Sequence, residues 1–159
     1  MDHGRQLHGL LRLFLCVWLI IMVTLLGTPS ASARPSRPDI VLIVLDDQHV
    51  GTLHWMPTVA NEIVRKGKLF KNAMVPTSVC CPSRASLLTG RYSHDTKVWG
   101  NGRGWKTFVE AGMEDRTVAV WLKAAGYRTA LIGKYLNEYQ GTGAPPGWSF
   151  WRAFQGANG

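Results

Sequence analysis

Residues 39–45 read Asp-Ile-Val-Leu-Ile-Val-Leu, and this run constrains the fold more than any other feature of the chain. A short continuous stretch of branched aliphatic residues has no polar face to turn to water. It predicts a strand covered on both faces, as in a parallel sheet. The run stops at Asp46 and Asp47. Two carboxylates at the C-terminal end of such a strand lie where open α/β sheets hold their ligands.

The rest of the chain alternates accordingly. Residues 57–66 read as a helix, with Pro57 in its first turn and Gly67 as its stop. Residues 69–75 suggest a second extended piece, and residues 83–89 a short helix ended by Gly90. The glycine- and tryptophan-rich stretch 92–112 reads as loop. Asp115 is placed to cap a helix whose apolar face is Val118, Val120, Trp121, Leu122 and Ala125, ended by Gly126. Residues 127–132 form a further predicted strand closing on Gly133 and Lys134, and the tail 141–159 shows no periodicity. The fold class predicted is α/β, a mostly parallel sheet flanked by helices and incomplete for want of strands.

Residues 1–33 have the order of a secretory signal peptide. Arg5 and Arg12 precede an uncharged apolar run, Gly27 and Pro29 break it, and Ala31-Ser32-Ala33 offers a cleavage site. The run falls short of the roughly 20 residues a spanning helix needs, so no stable membrane anchor is expected after cleavage. The expected destination is the secretory pathway, secreted or lumenal. Residues 34–159 then keep only Cys80 and Cys81. Neighbouring cysteines cannot close a relaxed disulfide, and no other cysteine or histidine pair stands at zinc spacing. The net charge of +8 suits an anionic ligand. Its lysines and arginines are scattered and accompany no nucleic-acid motif, so nucleic acid is not an expected partner.

The stretch Ser78-Val79-Cys80-Cys81-Pro82-Ser83-Arg84-Ala85-Ser86-Leu87-Leu88-Thr89-Gly90-Arg91 resembles the signature of formylglycine-dependent sulfatases, C-x-P-S-R followed by a short helix and T-G-R. The resemblance extends over most of residues 38–148. It implies an incomplete alkaline-phosphatase-like fold, with residues 34–159 the N-terminal part of a sulfatase domain. It implies that a formylglycine-generating enzyme converts Cys80 to an aldehyde, whose hydrate attacks the sulfur of a sulfate ester and then expels sulfate. It implies Ca2+ held by Asp46, Asp47 and the modified Cys80, an oxygen-rich set suited to that ion. Arg84 would then serve the formylglycine oxygen or the two aspartates, and Lys134 would contact the sulfate. His94, in the loop after Gly90-Arg91-Tyr92, matches a histidine many relatives carry near substrate.

One departure matters. Many sulfatases read G-K-W-H after the second strand, whereas this chain reads Gly133-Lys134-Tyr135-Leu136-Asn137-Glu138-Tyr139. Leu136 stands in place of the histidine. That spelling resembles N-acetylglucosamine-6-sulfatase-like enzymes, which implies a sulfated amino sugar of a polysaccharide as substrate and makes Asn137 a candidate substrate contact. Family members draw further metal ligands from segments downstream of the residues matched here, so the 159-residue chain alone is expected to be inactive. Two alternatives stay open: a phosphonate or phosphate-diester hydrolase of the same superfamily, and a non-catalytic truncated remnant.

Overall fold

A computed structural model describes residues 14–19 and 37–156. The chain divides into two compact units, Met1–Ile43 and Val44–Gly159. In the first, residues 14–19 are helical and residues 37–43 are in no regular element. The expected cleavage site at Ala31-Ser32-Ala33, and most of the expected signal peptide, lie outside the described residues. No helix among the described residues is long and apolar enough to cross a membrane.

The second unit begins with a single 3-10 turn, Thr52–Trp55, followed by α1, Pro57–Val59, whose chain continues as a π-type turn over Ala60–Val64. Helix α2 spans Cys80–Thr89, α3 Ser93–Thr96, α4 Gly104–Glu110 and α5 Val118–Ala124. The strands β1, Ala130–Gly133, and β2, Phe150–Ala153, pair in parallel with Ala130 opposite Phe150. Helices beside a small parallel sheet agree with the α/β expectation at its coarsest level.

Several local expectations are corrected. Helix α2 starts at Cys80 rather than Ser83, because Pro82 falls in its first turn, where a missing N–H costs nothing. The stretch expected as loop contains α3 and α4. Trp105 and Phe108, three residues apart, give α4 an inward face, and its first residue is a glycine for a steric reason given below. Thr117 rather than Asp115 precedes α5, with Asp115 in a 3-10 turn, Glu114–Arg116. The tail supplies β2, whose four residues alternate between exposed and half-buried, too short a run to stand out in sequence. Residues 69–75 form no strand.

The largest correction concerns residues 39–45. They are assigned to no strand, and Ile40, Val41, Leu42 and Ile43 are all exposed, Val41 by 83%. A strand needs ladder partners as well as apolar side chains, and among the described residues the only sheet consists of β1 and β2.

The core lies elsewhere. Cys81 and Ala85 of α2 pack with Val98, Phe108, Met113, Tyr135, Leu136 and Tyr139, all nearly inaccessible. Around Tyr139 the aromatic rings meet edge to face: Trp105 at 5.2 Å, Tyr135 at 5.5 Å and Trp151 at 5.6 Å between centroids. Such pairs contribute about 0.5–1.5 kcal/mol each beyond their area burial. They bind α4, the segment after β1 and β2 into one body, and that body carries α2.

Candidate active site

Successive side chains of an extended segment point to opposite sides. Asp46 and Asp47 escape this because Asp47 takes the left-handed conformation, φ 53°, which aspartate tolerates better than most residues. Ligand atoms of Asp46, Asp47 and Cys80 consequently lie within 4.8 Å of one another. The Cys80 thiol stands 3.9 Å from Asp47 Oδ1.

Cys80 sits in the first turn of α2, not ahead of it, so residue 80 lies at the positive end of the helix. Arg84, four residues on, shares its face. Its Nη2 donates to Asp46 Oδ1 at 3.2 Å and its Nη1 to the Lys134 carbonyl at 2.8 Å. Lys134, just past β1, donates from Nζ to Asp46 Oδ2 at 2.7 Å. Each Asp46 oxygen therefore faces one cation, and Arg84 fastens α2 to the segment carrying Lys134. The hydrogen bond from Lys134, aided by Arg84 and opposed by burial, holds the Asp46 carboxyl below its usual range. Burial pulls Lys134 downward, but the hydrogen bond and charge of Asp46 outweigh it and leave its pKa raised.

The structure thus brings together five of the residues singled out by sequence: Asp46, Asp47, Cys80, Arg84 and Lys134. Arg84 bonds Asp46, one of the partners expected for it. His94 is not part of this group. It is exposed on α3, stacked on Tyr92 at 5.7 Å and 3.5 Å from Asp95. Asn137 is buried at 4% exposure, and its backbone carbonyl accepts the Trp105 N–H at 3.1 Å.

Two residues to which sequence reading gave no role in the site complete the surroundings. Asn101 Oδ1 accepts the backbone N–H of Cys81 at 2.9 Å. Cys81 is fully buried, and desolvation pushes its thiol up to about 11 against a hydrogen bond from the Asn137 backbone. No local sequence signal marks a side chain that reaches back twenty positions.

The donor set fits a hard cation in part. The two carboxylates are suitable ligands for Ca2+, and the Cys80 thiol is a softer donor beside them. Calcium takes about 6–8 oxygens, more than these residues offer.

Comparison with known proteins identifies the family. A family model described as Sulfatase matches residues 38–159. An extracellular sulfatase SULF-1 homolog of Drosophila melanogaster is 45% identical over 125 residues, covering 77% of this chain and 11% of the fly protein. A putative extracellular sulfatase Sulf-1 homolog of Caenorhabditis elegans is 37% identical, over 88% of this chain and 20% of the worm protein. The human N-acetylglucosamine-6-sulfatase is 34% identical, over 86% of this chain and 27% of its own length. No solved structure gives a significant match. The chain belongs to the sulfatase family, within the alkaline-phosphatase-like superfamily, and spans between a tenth and about a quarter of the length of these relatives.

Proposed function

We propose that residues 38–159 are the nucleophile-bearing part of a secreted sulfuric-ester hydrolase acting on a sulfated amino sugar of a polysaccharide. The observation that carries the reading is the convergence of Asp46, Asp47, Cys80, Arg84 and Lys134, from three separate segments, on one small volume. The finer fold expected of the domain is the helix-flanked sandwich of its superfamily, to which β1 and β2 would contribute.

Formylglycine at position 80, made by a formylglycine-generating enzyme, would supply an oxygen nucleophile that no encoded side chain provides. Asp46 and Asp47 would hold Ca2+, whose charge polarises the sulfate ester. The chain's own residues do the rest. The first turn of α2 presents residue 80 at the positive end of the helix dipole, a favourable place for an anion. Arg84 restrains Asp46 and stays beside residue 80 through its second bond to the Lys134 carbonyl. Lys134 brings a protonated ammonium to the same volume, suited to a sulfate oxygen. Asn137, being buried, would reach substrate only where side chains rearrange, and His94 would act from the rim of the site. The names of the fly and worm relatives support an extracellular location. That of the human relative, together with the Gly133-Lys134-Tyr135-Leu136-Asn137 spelling, supports the amino-sugar substrate. With only three donors gathered among the described residues, the 159-residue chain alone is expected to bind calcium loosely and to turn over little.

The test is turnover of an aryl sulfate and an aryl phosphonate ester by purified protein, in the longest form in which this sequence is expressed, alongside Cys80→Ala. Sulfate hydrolysis that vanishes in the variant is expected. Faster phosphonate hydrolysis would assign the chain to the phosphonate branch instead, and sulfate hydrolysis surviving Cys80→Ala would remove residue 80 from the chemistry.

A further inference from the structure

Helix α2 has no cap of its own. Val79 occupies the N-cap position and offers no side-chain oxygen, and no side-chain cap bond forms there. The first N–H groups of a helix require partners, and one of them finds its partner far along the chain. The Cys81 N–H donates to Asn101 Oδ1 at 2.9 Å.

Asn101 is itself fixed. Its backbone carbonyl accepts the Gly104 N–H at 3.0 Å, at the start of α4. Gly104 lies so close to Cys81 that a Cβ there would stand 2.2 Å from the Cys81 sulfur. The next residue, Trp105, donates its N–H to the Asn137 carbonyl at 3.1 Å, and the Asn137 backbone also bonds Cys81. Cys81 is therefore gripped by Asn101, Gly104 and Asn137, while Cys80, its neighbour in the same turn, is left partly accessible.

We propose that Asn101 is a positioning residue: its side-chain carbonyl caps α2 from outside the helix and, through Cys81, fixes residue 80 against Asp46 and Asp47. Its functional meaning rests on residue 80 being the nucleophile of the proposed sulfatase, but the contact itself does not.

The experiment uses the 159-residue chain made without the converting enzyme, so that both thiols survive. Alkylation by iodoacetamide is followed by peptide mass spectrometry in the wild type, Asn101→Leu and Asn101→Asp. In the wild type Cys80 labels and Cys81 is protected. Asn101→Leu removes the acceptor, and Cys81 labelling rises about fivefold to tenfold. Asn101→Asp keeps an oxygen on the same N–H, at a helix end that favours negative charge, and stays within about twofold of wild type. Calcium affinity, measured by calorimetry with the metal alone, falls in Asn101→Leu and is retained in Asn101→Asp.

Unchanged protection of Cys81 in a folded Asn101→Leu, or equal loss in both variants, overturns the proposal. If Asn101→Leu does not fold, Asn101→Asp decides: protection retained upholds the cap, protection lost refutes it. Absence of calcium binding in all three proteins would count against the metal centre and leave the cap to be judged on the thiols.

Discussion

Asp46 has two cations and two oxygens, one for each. Its lowered pKa makes this a pH-dependent contact with a definite sign. The carboxylate contributes stability above its ordinary value of 3.8 and loses it as pH falls through the lower folded value. Lys134, raised from 10.5, contributes below that value and loses its contribution as pH rises through the folded one. The gap in urea midpoint between wild type and Asp46→Asn should be full at neutral pH and close in acid; a gap independent of pH would refute the pairing. Arg84 bonds Asp46 and the Lys134 carbonyl through different nitrogens, a reach lysine lacks. Arg84→Lys should cost about 1–2 kcal/mol in urea unfolding despite keeping its charge. These residues were legible beforehand because their chemistry follows a motif and lies at the ends of apolar runs. Asn101 was not, since an acceptor for an N–H twenty positions away leaves no trace in local sequence. Cys81 stands at the x of C-x-P-S-R, and its place as the clamped neighbour of Cys80 follows from its burial, the Asn101 hydrogen bond and the close approach of Gly104.

At the level of elements, packing rather than propensity decided the outcome. Phe108 of α4 is fully buried whereas Val41 is 83% exposed. Phe108→Ala should cost about 3–5 kcal/mol, and Val41→Ala should stay within about 0.5 kcal/mol, measured by denaturant unfolding of the 159-residue chain. Comparable losses would mean that residues 39–45 are covered after all. Gly104→Ala should destabilise by about 1–3 kcal/mol through overpacking against Cys81. Gly147 is a second constrained position: at φ 89°, a Cβ there would stand 2.4 Å from the Val120 nitrogen of α5. The helix ended by Gly90, though not its start at Cys80, the helix before Gly126 and the strand before Lys134 could be read from sequence because their periodicity and stop signals are local. The strand at 39–45 failed because its pairing is not local. Helix α4 was hidden in a glycine-rich stretch, in which Gly104 alone is required by a close contact, that with Cys81.

Across the molecule, apolar side chains are exposed in both compact units: Ile40 to Ile43 in the first, and Leu45, Trp55, Leu69, Phe70, Met74 and Trp99 in the second. The 159-residue chain should bind a hydrophobic dye in its folded state, read by fluorescence below the denaturant transition. Absence of dye binding would show that this surface is buried in solution. The net charge of +8 opposes self-association and suits an anionic substrate. The central claim nevertheless rests on one side chain. Peptide mass spectrometry of the secreted protein, from a host whose formylglycine-generating enzyme works on a control, should find an aldehyde trapped by hydrazide at Cys80 beside an unmodified thiol at Cys81. Two intact thiols on that peptide would contradict the account.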